Sequence, residues 1–226
     1  MFFDPLYFLM IAPAVLLGVW AQARIRSTYA RAQQLPAPLS GAAAARHILD
    51  SAGLTDISIE QVPGHLSDHY DPRAKMLRLS QEVHQSRTLA AVGIAAHESG
   101  HAIQHARGYA PLMVRNAAVP VAGFGSNASI FLIIIGALLT LKPLILLGIG
   151  LFATVVVFQL VNLPVEFNAS SRAKAQLVGL GIVNNEELTY VNKVLNAAAL
   201  TYVAATLQSL LTLLYYVMRF TGGSRD

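Results

Sequence analysis

The sequence predicts a mainly α-helical integral membrane protein with about four transmembrane helices and one small α+β unit. Of the 226 residues, 54% are hydrophobic and only 12% are charged, whereas soluble domains carry roughly a quarter charged residues. The hydrophobic residues are concentrated in blocks about as long as a helix that crosses a bilayer. Between these blocks lies a polar region with the alternation and turn signals of a small mixed domain.

The first hydrophobic block, residues 5–23, predicts an N-terminal transmembrane anchor within residues 1–23. A cleaved signal peptide is the alternative, because the sequence AQA at residues 21–23 resembles a cleavage site. Signal peptides carry positive charge before the hydrophobic run. Here Asp4 precedes the run and the first arginines follow it, which favours an uncleaved anchor.

Residues 24–116 predict the α+β region. Ser40 is the expected N-cap of a short helix that ends near Gly53. The stretch TDISIEQVPG alternates like a half-buried strand, and HLSDHYDPRAKMLRLS predicts two more strands around a turn at DPR. Ser86 is the expected N-cap of a longer helix that stops near Gly108.

The second half of the chain predicts the remaining spans. Residues 117–163 are nearly uncharged and too long for one span, and LKP in their middle supplies a charge and a helix breaker that divide them into two. Residues 164–196 predict a helix that begins at Pro164, and residues 197–226 predict a fourth span and a tail. The arginines after the first span place the following loop in the cytoplasm, so residues 164–196 return to that side.

The stretch IAAHESGHAIQHARG, residues 94–108, predicts a metal site. His97 and His101 are one helical turn apart, so both imidazoles project from one face and can share an ion. Glu98 flanks that ion, where it can take a proton from a metal-activated water and pass it to a leaving amine. The chain has no cysteine, and zinc suits imidazole and carboxylate ligands with an open water position. The competing interpretation is a chance match to a short motif.

A third ligand must come from another part of the chain. His105 lies two turns beyond His97, and the stretch HAIQH at residues 101–105 has no glycine that could turn the chain back toward the ion. His69, in the predicted hairpin, is a second candidate. Glu166 is the preferred ligand, because it follows a membrane span and lies on the same side of the bilayer as the histidines. The alternative role for Glu166 is that of a carboxylate near a helix N-terminus, where it complements the helix dipole.

Three stretches resemble a known family: DHYDP followed by LRLS, then AAHESGHAIQHA, then LPVEFNASSRA. In order and content they are similar to the membrane-bound neutral zinc metallopeptidases of bacteria, and the resemblance covers most of the chain. The layout is also similar to gluzincin-type membrane peptidases related to heat-shock and CAAX-processing proteases. The resemblance implies a zincin-like catalytic unit with one Zn²⁺ held by His97, His101 and Glu166, and with Glu98 as the base.

The sequence departs from the broader group at one supporting position. Those peptidases place an aspartate four residues after the ligand glutamate, where it supports a zinc-binding histidine, but this chain has Ser170. We expect Asn168 or Ser170 to take part of that role. His69, Tyr70, His105 and Arg172 are the candidate contacts to substrate or transition state. Of these, His69 and Tyr70 belong to a strand that could bind substrate at a sheet edge.

The expected function is hydrolysis of peptide bonds in membrane or unfolded proteins by zinc-activated water, in a bacterial inner membrane with the site near the cytoplasmic face. The expected partners are a protein or peptide substrate and the lipid bilayer. A net charge of only +4 without a dense basic run argues against nucleic acid. The sequence is also compatible with a homo-oligomer or with a membrane partner protein.

Two alternative functions remain. Cleavage inside the bilayer would require an acid within a span, and the predicted spans contain none. A catalytically weak, zinc-binding membrane chaperone or adaptor is the non-enzymatic alternative. Glu98 argues against it, since a structural zinc site needs no base.

Overall fold

The computed structural model describes residues 4–221. Over this range the chain forms helices and one three-stranded sheet, which confirms the predicted fold class. In chain order the elements are α1 (Pro5–Gln33), α2 (Gly41–Ser51), β1 (Ser58–Val62), β2 (His69–Asp71), β3 (Met76–Ser80), α3 (Gln81–Gln85), α4 (Leu89–Ala106), α5 (Ala110–Leu138), α6 (Lys142–Gly179) and α7 (Asn185–Thr221).

Four of the described helices, α1, α5, α6 and α7, are long and apolar enough to cross a membrane. They carry large hydrophobic side chains that are more than half exposed, including Leu9, Phe124 and Phe131. Such surfaces suit contact with lipid rather than water. The break predicted at LKP is confirmed, because α5 ends at Leu138 and α6 begins at Lys142.

The chain divides into two units. The helical unit comprises the described parts of Met1–Ala21, Val114–Leu163 and Leu200–Asp226. Glycines let α5 and α6 approach closely within it: a Cβ at Gly136 would lie 2.8 Å from Cγ1 of Ile145. Small residues at such contacts are typical of helix packing in membranes.

The mixed unit comprises Gln22–Met113 and Pro164–Ala199. Its sheet has the order β1-β3-β2, with β1 parallel and β2 antiparallel to β3, so β2 lies at an edge. Helix α4 contributes to two hydrophobic clusters: one includes residues of α2, α6 and α7, and the other includes Leu77 and Leu79 of β3. These contacts bury most of α4 and hold its polar residues in fixed positions.

The capping predictions have mixed outcomes. Ser40 caps α2 as predicted, because its side chain accepts a hydrogen bond from Ala43 N at 3.3 Å, and Gly53 follows the helix with a φ of 74°. The prediction that Ser86 caps the long helix is wrong. Ser86 is the C-cap of the short helix α3, and the Thr88 side chain accepts from Ala91 N at 3.2 Å to cap α4.

Pro164 does not begin a helix. Helix α6 is continuous from Lys142 to Gly179 with Pro164 inside it, so the prediction of a new helix at this residue is wrong. A proline in a helix removes one backbone hydrogen bond, and helices in membrane proteins tolerate this loss when neighbouring groups satisfy the freed carbonyl. Glu166 is therefore an interior residue of α6.

Candidate metal centre

Helix α4 presents His97 and His101 on one face. The helix is rich in alanine, which favours helix formation and leaves room beside the imidazoles. It ends at Ala106 and is followed by Gly108, which has a φ of 61°, as predicted from the glycine. The two imidazole rings lie 4.8 Å apart between centroids.

Glu166 of α6 completes a cluster with these histidines. Its Oε2 lies 3.3 Å from His97 Nε2 and 3.7 Å from His101 Nε2, and Glu166 and His101 are buried. One potential ligand atom from each residue lies within 4.8 Å of the others. With bonds of about 2.1 Å, a tetrahedral zinc ion separates its ligand atoms by about 3.4 Å. The spacing and the chemistry of these donors therefore fit Zn²⁺.

The other ring nitrogen of each histidine has a protein partner. His97 Nδ1 lies 3.1 Å from Ser170 Oγ, and His101 Nδ1 lies 3.0 Å from Gln104 Oε1. Such outer contacts orient metal-binding histidines and select their tautomer. Both Nε2 atoms are thereby left facing Glu166.

Glu98 lies beside this cluster on α4. Burial raises the pKa of its carboxyl to about 7; the charge of His97 opposes this rise, and the charges of Glu166 and Asp68 add to it. A backbone contact from Tyr70 also lowers the pKa of Glu98. A carboxyl group with such a pKa can both accept and release a proton near neutrality.

Strand β2 brings Tyr70, but not His69, against α4. The Tyr70 hydroxyl lies 3.0 Å from His105 Nδ1, and burial raises the pKa of this tyrosine to about 12, so the hydroxyl stays protonated. The His69 side chain is exposed, and its Nδ1 lies 2.7 Å from Ser67 O. Neither His69 nor His105 belongs to the ligand cluster found among the described residues.

Arg172 lies near the cluster through its contact with Asn168. Its Nε donates to Asn168 Oδ1 at 2.7 Å, and its guanidinium lies over the ring of Tyr109 at 5.8 Å from the centroid. Asn168 in turn accepts from Gln104 Nε2 at 3.0 Å. The structure thus connects Arg172 to His101 through two amide side chains.

Sequence reasoning missed Gln104. This residue is fully buried, although it is polar and lies in a helix of mostly small apolar residues. Its position three residues after His101 places it beside that histidine on the helix surface. Of these two features, only the spacing from His101 can be read from the sequence HAIQHA; the burial of Gln104 depends on contacts with another helix.

Comparison with known proteins agrees with the geometry. A family model described as "Putative neutral zinc metallopeptidase" matches residues 7–221. The chain is 48% identical over 218 residues to "Putative membrane protease YugP" of Bacillus subtilis (strain 168), and the match covers 96% of each chain. No solved structure matches the chain.

Proposed function

The chain belongs to the family of neutral zinc metallopeptidases, and on that premise we propose that it is a membrane-embedded endopeptidase. His97, His101 and Glu166 hold one Zn²⁺, and Glu98 is the general base. The observation that supports this assignment is the convergence of three ligand atoms within 4.8 Å, with the Glu98 carboxyl beside them.

In the proposed reaction, the chain itself carries out the proton transfers, through Glu98. Zn²⁺ held by His97, His101 and Glu166 would supply Lewis-acid polarisation of the scissile carbonyl and of the attacking water. Glu98 accepts a proton from that water while the water oxygen forms its bond to the carbonyl carbon. Glu98 then delivers the proton to the amide nitrogen as the C–N bond breaks. The products are a carboxyl group and an amine, and no covalent bond to the protein forms.

Strand β2 is the proposed binding edge for the substrate. It is an edge strand, and the backbone of its residue Tyr70 lies close to Glu98. An extended peptide that adds to a sheet edge is held by main-chain hydrogen bonds. Binding of this kind requires an extended, unfolded segment, and its main-chain hydrogen bonds do not depend on the substrate's sequence. Both properties support membrane or unfolded proteins as substrates.

The proposed location is a bacterial inner membrane, with the active site near its cytoplasmic face. Arg24, Arg26 and Arg31 follow the first hydrophobic block, and basic residues next to a span favour the cytoplasm. Glu166 follows the third block by only a few residues. The relative from Bacillus subtilis is named a membrane protease, which supports a location in a membrane.

Cleavage of an unfolded protein substrate tests this function. We expect the wild type to cleave it and Glu98→Gln to be slower by about 10²- to 10⁴-fold, the usual contribution of a general base. Both proteins should carry equal zinc. Glu186→Gln is the matched control, because Glu186 is an exposed carboxylate in the first turn of α7. Equal activity of Glu98→Gln and wild type would contradict the proposal, and zinc binding without cleavage by either would favour an adaptor.

A further inference from the structure

The buried side chain of Gln104 makes three hydrogen-bond contacts. Its Nε2 donates to Val165 O at 2.8 Å and to Asn168 Oδ1 at 3.0 Å, and its Oε1 lies 3.0 Å from His101 Nδ1. Both N–H groups of the amide are therefore used, and its oxygen faces the imidazole. A buried amide satisfied in this way has a single favourable orientation.

Two independent groups determine that orientation. The nitrogen and oxygen of an amide have nearly the same shape, so their hydrogen-bond partners decide which way it points. The backbone carbonyl of Val165 can only accept, so it must face the nitrogen of Gln104. The guanidinium of Arg172 can only donate, so its 2.7 Å contact requires the oxygen of Asn168. Because this oxygen of Asn168 can only accept, the atom of Gln104 that faces it must be the amide nitrogen.

The orientation of Gln104 selects the tautomer of His101. Because Oε1 carries no hydrogen, the contact at 3.0 Å requires a proton on His101 Nδ1. A neutral imidazole with that proton has its lone pair on Nε2, the atom 3.7 Å from Glu166 Oε2. His97 differs, because the hydroxyl of Ser170 can donate or accept and so selects neither tautomer.

We propose that Gln104 is a positioning residue of the metal centre. It holds His101 with its Nε2 lone pair directed at the ion, and its bond to Val165 O fixes the neighbouring ligand, Glu166. One side chain thus determines the positions of two ligands, His101 on α4 and Glu166 on α6. This inference rests on the proposed function in that it takes His101 and Glu166 as zinc ligands.

Substitution of Gln104 by methionine tests the inference, because methionine keeps a similar length and volume but provides no N–H donor. In the purified full-length protein we expect zinc affinity, measured by competition with a chelator, to fall by 10- to 100-fold, the usual effect of removing such a support. In the metal-free protein, ¹⁵N NMR of labelled histidine should show that His101 loses its preference for the Nδ1–H tautomer. Gln176→Met is the matched control in α6 and should change neither quantity.

Arg172→Met provides a second variant that leaves the packing of Gln104 intact. We expect a smaller loss of zinc affinity, about 3- to 10-fold, because Val165 O still orients the amide. If Gln104→Met does not fold, this variant and the histidine tautomer carry the test. Zinc affinity within twofold of wild type in every folded variant, with an unchanged His101 tautomer, would overturn the inference.

His101→Ala separates failure of this inference from failure of the proposed function. Loss of zinc in His101→Ala, with wild-type affinity in Gln104→Met, would reject only the positioning role. Wild-type affinity in His101→Ala would reject the ligand set itself. A purely structural role for Gln104 would lower the melting temperature of the metal-free protein without a change in tautomer, and this result would also overturn the inference.

Discussion

Gly100 of α4 lies directly against the backbone carbonyl of Ala169 in α6: a Cβ at Gly100 would be only 2.6 Å from that oxygen. His97 and His101 lie on either side of Gly100 in sequence, and Glu166 precedes Ala169 by three residues. The close contact of the two helices therefore sets the distance between the histidines and the carboxylate.

Gly100→Ala should separate α4 from α6 by several tenths of an ångström. We expect zinc affinity to fall at least tenfold, because the ligand atoms no longer converge, and the free energy of unfolding to fall by about 1–3 kcal/mol from overpacking. Chelator competition and denaturant unfolding measure the two effects. In Gly123→Ala, the control, the new Cβ has no neighbour within 4 Å. Wild-type zinc affinity in Gly100→Ala would show that the contact does not set the site.

Glu166→Gln should abolish stoichiometric zinc binding. The carboxamide is neutral and a poor zinc ligand, and the two histidines alone hold the ion weakly. Metal analysis after dialysis measures the zinc content. Glu98→Gln is the comparison, because Glu98 is not in the ligand cluster and its variant should retain zinc. A full complement of zinc in Glu166→Gln would place the third ligand elsewhere.

Removal of zinc should lower thermal stability without unfolding the protein. The metal-free chain stays folded because hydrophobic clusters hold α4 in place. Zinc at about 100 times its Kd should then raise the free energy of unfolding by roughly 2.7 kcal/mol. Thermal melting in detergent with and without a chelator measures the difference. Glu166→Gln should show no zinc-dependent shift, whereas an equal shift in this variant would indicate binding elsewhere.

Tyr70→Phe should have little effect on catalysis. The Tyr70 hydroxyl contacts His105, which follows Glu98 by seven residues and so lies about 10 Å further along the helix axis. We expect kcat/KM to fall by less than about threefold and the free energy of unfolding by about 1 kcal/mol, the usual contribution of one hydrogen bond. If the hydroxyl instead stabilised the transition state, the rate would fall by about 10²- to 10³-fold.

Local patterns predicted the parts of the molecule that depend on nearby residues. The spacing of His97 and His101, the cap at Ser40 and the helix end near Gly108 each follow from a few neighbouring residues. Glu166 required a topological argument, because its partners are far away in sequence, and the structure brings it to them. Its role as a ligand remains a prediction.

The errors arose where tertiary contacts override a local preference. Pro164 resembles a helix start, but α6 continues through it. Ser86 and Thr88 are both suitable N-cap residues for α4. Ser86 is instead the C-cap of the short helix α3, and Thr88 caps α4. Gln104 was missed because its partners Val165 and Asn168 lie on another helix. No local pattern identifies such partners.

The separation of the ligands along the chain has a consequence for biosynthesis. His97 and His101 leave the ribosome about sixty-five residues before Glu166, and the sequence between them contains α5 and most of the apolar part of α6. A nascent chain that holds only two imidazoles binds zinc weakly. With the proposed ligand set, the centre assembles only after these helices have been synthesised, and we expect an unfinished chain to have no proteolytic activity toward other nascent proteins or itself.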